Sequence, residues 1–256
     1  MNIILTHDID SIRKPFRYIW QRRNRFRVSD LFLSALGLKN LYNNIEEIIS
    51  LEDRYGYRSV FFVPVFLFNI EEIIDTIKYI RKQGWEVQLH YVHEPNQYLG
   101  LFRMQKEYFE KEIGPVEGVR VHMLILNNDI LTMFQKEGIK YDSTLRAETA
   151  NTYDPFLIAE KLLEIPIGIM DTDIFGRLKL SEREAFKYIL WKLKKAELRK
   201  AYNFTILFHQ ESYGMKGGRI YKDFLKYISL SNRYIVILPK SYIMSYERGR
   251  LKINDE

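Results

Sequence analysis

Residues 2–11 read Asn2-Ile3-Ile4-Leu5-Thr6-His7-Asp8-Ile9-Asp10-Ser11, and the order of side chains in this stretch decides the fold. A short apolar, β-branched run that ends abruptly on charged residues is the pattern of a buried strand whose C-terminal end reaches a surface. In extended backbone the side chains alternate, so Asp8 and Asp10 face one side while His7 and Ile9 face the other. Two carboxylates at one strand end repel each other unless a cation or a proton lies between them. The plainer reading is that they cap the turn that follows.

Similar short runs recur near residues 58–65, 86–90, 117–123, 139–141, 162–167, 203–208 and 233–238. Between them, residues 41–56, 70–84, 128–138 and 181–200 space their apolar side chains three and four apart, as a helix with one buried face does. Gly56, Gly84 and Gly138 stand where such helices end. Strand and helix in alternation predict an α/β protein with a mainly parallel sheet, and seven or eight units in this length fit a barrel-like β/α fold better than an open sheet. No repeat or linker divides the chain, so residues 1–256 are expected to form one domain, with insertions at about 11–38 and 144–160.

In a β/α protein the chemistry sits just past the C-terminal ends of the strands. All five histidines fall there: His7 with Asp8 and Asp10, His90 and His93 with Glu94, His122 beside Arg120, and His209 after Leu207. Singly, each reads as a satisfied polar residue; together they read as a site. Asp10 and His90 with His93 make a two-His-one-carboxylate set, or with Glu94 a one-His-two-carboxylate set, which binds zinc or another divalent first-row metal and leaves positions open for water and substrate.

Composition narrows the class further. With 46% hydrophobic and 28% charged residues the chain can bury a large core, and no apolar run approaches the roughly 18 residues of a membrane span. The N-terminus lacks a basic region and a cleavage site, so an intracellular, cytoplasmic place is expected. Cysteine is absent, which excludes disulfides, thiolate metal sites and cysteine nucleophiles. The net charge of +6 is one local patch, because residues 11–27 hold seven basic residues and no acidic one. Interleaved with Phe16, Tyr18, Trp20 and Phe26, that patch suits substrate phosphates or an anionic membrane surface, with nucleic acid ranked last. If it is helical, the plain reading is a surface helix docked through Phe16, Ile19 and Trp20 with a solvated basic rim.

Thr6-His7-Asp8-Ile9-Asp10, the stretch from His90, Arg120-Val121-His122 and Leu207-Phe208-His209 resemble, in this order, the motifs of the polysaccharide deacetylases of the NodB-homology type, carbohydrate esterase family 4. The resemblance runs from residue 3 to about 211 and implies a distorted (β/α) barrel. It implies Asp8 as catalytic base, Asp10 as metal ligand, Arg120 as the group orienting Asp8, and His209 as general acid. Asp171 is implied to keep His209 protonated, with Asp173 as well placed. Leu207 is implied to line the acyl pocket, with His122 and Tyr91 as further substrate contacts. The family's second metal histidine follows the first by four residues; that position here is Glu94, and His93 lies one residue early. The activity implied is removal of an acyl group, acetyl first, from the amide nitrogen of an amino sugar. The implied metal is zinc, with cobalt, nickel or iron as alternatives. A catalytically inactive relative is the first competing reading. The second is a phosphohydrolase of the haloacid dehalogenase type with Asp8, Asp10 and magnesium, which leaves His90 and His209 without a purpose.

Overall fold

The structure, a computed structural model, describes residues 1–93 and 98–247. In chain order the elements are β1 (Asn2–Asp8), α1 (Phe16–Gln21), α2 (Val28–Ala35), α3 (Ile45–Arg54), β2 (Val60–Val63), α4 (Ile74–Lys82), β3 (Glu86–Tyr91), α5 (Tyr98–Glu112), β4 (Gly118–Val121) and α6 (Asn128–Lys136). They continue as β5 (Tyr141–Asp142), α7 (Ala147–Ala150), β6 (Phe156–Ala159), β7 (Leu162–Glu164), β8 (Ile167–Met170), α8 (Glu182–Leu198), β9 (Asn203–Leu207), α9 (Lys216–Ser229), β10 (Ile235–Val236) and α10 (Pro239–Glu247).

The strands form one curled sheet in the order β6-β7-β5-β4-β3-β2-β1-β9-β8, with β10 paired to the start of β1. Every pairing is parallel except β6 with β7, so the strand ends that carry the motifs all open on one side. The two margins of the sheet meet where Arg146 bridges Ile167 and the Ile167 N–H donates to Leu145 O at 2.8 Å. The result is the distorted (β/α) barrel expected from the sequence.

The central strands are buried on both faces, which is why β2 is an unbroken apolar run and β1 carries one over Ile3–Leu5, while β3 buries Glu86 and Gln88 only with hydrogen-bond partners. Their outer faces pack on the helices through Ile45, Ile48, Ile77, Ile80, Phe102 and Phe134. Gly56, Gly84 and Gly138 end α3, α4 and α6 at φ of +68°, +96° and +72°, the left-handed conformation that ends a helix cheaply only at glycine. Gly118 opens β4 for a different reason: a Cβ there would stand 2.1 Å from the ring of Tyr141.

Three local expectations give way. The strand expected over 162–167 divides at Pro166, which has no N–H for the ladder and separates β7 from β8. The expected insertion at 144–160 contributes α7 and the antiparallel strand β6. In α1, Ile19 turns inward onto Leu31, Leu41 and Tyr42 with Tyr18 packed beside it, while Phe16 and Trp20 stay exposed, so that helix docks through Ile19 and Tyr18 and not through Phe16 and Trp20. Among the described residues no helix is long and apolar enough to cross a membrane.

Candidate metal centre and active site

β1 delivers Asp8 and Asp10 to the open end of the barrel on the same side, with His7 and Ile9 turned into the packed interior. Opposite them, the end of β3 presents His90. Its Nδ1 lies 3.0 Å from Arg120 O, which can only accept, so the proton sits on Nδ1 and the Nε2 lone pair points into the site. Asp10 Oδ1 is 3.3 Å from His90 Nε2 and 3.4 Å from His122 Nδ1, and the two imidazole nitrogens are 3.3 Å apart. Asp10 Oδ1 is buried and has no hydrogen-bond partner. Three donor atoms at this mutual spacing match the edges of a tetrahedron with metal bonds of about 2.0–2.1 Å, so the residues fit a divalent ion. Burial opposes the charge on Asp10, yet the adjoining His122 and His90, with a further contribution from His209, hold its carboxyl far below the usual carboxylate range.

Among the described residues the third atom of this group is Nδ1 of His122, a residue expected at the substrate wall. Met123 and Leu124, the next two residues, both hold left-handed backbone at φ of 62° and 56°. Neither is glycine, and each such residue costs roughly 1–2 kcal/mol; strain of this kind persists where the surrounding structure enforces it. The tight turn follows directly on His122, at the end of β4. His93, expected as a ligand, lies past the end of β3 with its ring 6.4 Å from that of Tyr91, and it is not part of the donor group. Glu94, the other expected ligand, lies outside the described residues.

Two charged pairs flank the donor group. Arg120, fully buried, donates from Nη1 to Asp8 Oδ1 at 2.8 Å and to Thr6 Oγ1 at 3.0 Å. It also donates from Nε to Ser143 O at 2.6 Å and from Nη2 to Ser143 Oγ at 2.7 Å, and it stacks over the Phe62 ring at 4.2 Å. A guanidinium taken out of water persists only with this degree of satisfaction. Asp8 Oδ2 is left facing the site, 3.9 Å from His90 Nε2. On the other flank His209 Nδ1 lies 2.7 Å from Asp171 Oδ1, and Asp171 Oδ2 accepts from the His209 backbone N–H. His209 Nε2 points inward, 3.6 Å from Asp10 Oδ2. Burial disfavours the imidazolium, but Asp171, followed by Asp8 and Asp10, outweighs it and holds His209 well above the usual histidine range. Asp173 is engaged elsewhere, with Arg177 and Arg146.

Leu207 is fully buried against Ile167 and Met170 beneath the site. Tyr91 is not available to a substrate: its ring is fully buried and packs edge-on against Phe102 and Phe134. His7, likewise buried, sets its two nitrogens against Phe208 O and the carboxylate of Glu52, which also takes the Ser59 hydroxyl and the Trp85 indole N–H. Hence three of the five histidines converge on the site and His7 braces the strand behind it. The sequence assigns no role to Ser143, the anchor of Arg120, or to Glu211, whose carboxyl burial pushes up to about 8 with help from Asp10 and Asp171 against His209. Glu211 was within reach, two residues past His209; nothing in the sequence singled out Ser143 for this contact.

No family model matches the sequence, and no curated protein matches it. Solved structures do match by fold. A protein from Mycobacterium smegmatis described as a polysaccharide deacetylase aligns over 100% of this chain and 93% of its own length with a TM-score of 0.73 at 17% identity. One from Pseudomonas aeruginosa PAO1, described in the same way, gives 0.73 at 12% identity over 98% and 92%. PuuE allantoinase gives 0.68 at 14% identity over 98% and 92%. The fold is that of the NodB-homology polysaccharide deacetylases.

Proposed function

We propose that this chain is a metal-dependent amide hydrolase of the polysaccharide deacetylase family, acting as one catalytic domain that removes an acyl group, acetyl first, from the nitrogen of an amino sugar. The observation that carries the reading is the triangle of Asp10 Oδ1, His90 Nε2 and His122 Nδ1, with a carboxylate braced by arginine on one side and a histidine braced by aspartate on the other. Two imidazoles and a carboxylate suit zinc, and cobalt, nickel or iron accept the same donors. A divalent ion held there supplies Lewis acidity, polarising the amide carbonyl and acidifying water.

The chain's own residues do the rest. Arg120 occupies Asp8 Oδ1 and fixes the carboxylate in place, leaving Oδ2 to take the proton of the attacking water. Asp171 holds the His209 ring by Nδ1, so the proton on Nε2 faces inward and passes to the leaving nitrogen as the carbon–nitrogen bond breaks. Water and amide thus become a carboxylic acid and a free amine. Leu207, Met170 and Ile167 provide an apolar floor that suits an acyl methyl. Because an allantoinase shares the fold, non-sugar amides belong in the substrate screen.

The test is release of free amine from N-acetylated amino sugars, free, nucleotide-linked or phosphate-linked, by protein reconstituted with zinc. Turnover that disappears in Asp8→Asn while zinc is retained supports the reading. A zinc-loaded wild type inert across the whole set contradicts it.

A further inference from the structure

The insertion that leaves β1 after Asp10 is the most exposed apolar surface of the described chain. Phe16, Trp20, Val28, Phe32, Leu36 and Leu38 are between 42% and 83% exposed, within 23 residues. Of α1 and α2 only Ile19 and Leu31 are buried, with Tyr18 partly buried beside them. Basic side chains are interleaved with them. Of the seven in residues 11–27 only Arg13 has a carboxylate partner among the described residues, Glu72 at 3.1 Å. Arg22 lies over the Tyr18 ring and Arg23 over Trp20, which holds cations beside the aromatic surface. An adjoining cavity of about 520 Å³ mixes charges, with Arg25, Arg27 and Lys216 set among Asp30, Glu46 and Glu47.

We propose that the α1–α2 insertion is an interfacial platform that seats the protein on an anionic lipid surface, with Trp20, Phe32 and their neighbours in the headgroup region and the unpaired cations on lipid phosphates. Exposed apolar side chains among unpaired cations are what an anionic bilayer satisfies together: it removes the one from water and neutralises the other. A second copy of this chain meets the apolar face but sets like charges against each other. Nucleic acid satisfies the cations and leaves Val28, Leu36 and Leu38 in water.

The platform is fastened to the rim of the candidate active site. Gln210, next to His209, donates from Nε2 to Ser11 O and Tyr42 O, and its Oε1 accepts from the Asn44 backbone N–H at 2.9 Å. Asn40 Nδ2 donates to Ile12 O at 2.8 Å, closing the neck of the insertion. Both ends of the platform are thus tied to the segments bearing Asp10 and His209. Where the deacetylase reading holds, on which this last step rests, the substrate class is an N-acyl amino sugar linked to a lipid phosphate.

The experiment is flotation of metal-free protein with phosphatidylcholine vesicles, with and without phosphatidylglycerol. Wild type floats with the anionic vesicles only. Replacing three cations by Arg17→Gln, Arg23→Gln and Arg25→Gln lowers partitioning about 100-fold, at roughly five-fold per cation. Trp20→Ser with Phe32→Ser lowers it about ten-fold or more. Wild type that stays with the unbound fraction overturns the proposal, as does binding that neither set of variants weakens. A dimer in sedimentation equilibrium that Trp20→Ser with Phe32→Ser dissolves also overturns it, since a second copy then covers the face. Hydrolysis of a short soluble N-acetyl amino sugar without vesicles is assayed separately. Its failure removes the deacetylase reading and leaves flotation standing, and failed flotation leaves the hydrolysis standing.

Discussion

Asp142 on β5 and Glu164 on β7 are register partners, both fully buried, and one oxygen of each has no hydrogen-bond partner. The remaining oxygens are satisfied: Thr144 Oγ1 donates to Asp142 Oδ1 at 2.6 Å and the Leu145 N–H donates to Glu164 Oε1 at 2.9 Å. Two facing acceptors are stable only with a proton between them. Burial, followed by the charge of Asp142, raises the Glu164 carboxyl well above its ordinary range, and burial pushes Asp142 up to about 6. A raised carboxyl stabilises the fold fully below its unfolded value of about 4.3, and that stabilisation is lost as the pH climbs through the folded value. Above about pH 6 the folded pair still binds one proton that the unfolded chain has released. Stability therefore falls by about 1.4 kcal/mol per pH unit on this account. Glu164→Gln puts an amide N–H in place of the shared proton and removes that slope, while every other titrating group is common to both proteins. For each pH unit above about 6 over which Glu164 keeps its proton, the variant gains about 1.4 kcal/mol relative to wild type. Urea unfolding followed by circular dichroism at several pH values measures the difference. Parallel stability curves for the two proteins would refute the shared proton.

Arg120→Met strips four hydrogen bonds and leaves Asp8 buried without its partner, so unfolding is easier by about 3–5 kcal/mol, as chemical denaturation will report. Ser143→Ala removes one acceptor of Arg120 and the hydroxyl donor to Ile165 O, costing about 1–3 kcal/mol by the same measurement. Asp171→Asn removes the charge that sustains the His209 imidazolium; the alkaline limb of kcat/KM in zinc-loaded protein moves to lower pH, and kcat falls about 100-fold or more.

How much of this was legible depends on which physical signal each residue leaves in the sequence. Alternation along residues 2–11 placed Asp8 and Asp10 together and sent His7 and Ile9 inward, because strand geometry leaves no other choice. The helix-ending glycines were legible for a similar local reason, and their positive φ values bear that out. Tyr91 was misread as a substrate contact because the strand runs one residue further than expected and turns that ring into the helix layer. His122 was read as a substrate contact and His93 as a ligand because spacing along one segment was the available guide. Among the described residues the donor group comes from the ends of β1, β3 and β4, a tertiary arrangement that spacing along one segment does not show. The pairing of Asp142 with Glu164 was not legible, because register between strands 22 residues apart is a tertiary property.

The ligand set is the claim on which the functional reading turns. Protein reconstituted with zinc and desalted is to be measured by mass spectrometry for wild type and for single alanine variants of Asp10, His90, His122 and His93. The account predicts about one zinc per chain in wild type and in His93→Ala, and loss in Asp10→Ala, His90→Ala and His122→Ala. Zinc retained in His122→Ala and lost in His93→Ala would contradict it, returning the third ligand to the segment that follows β3.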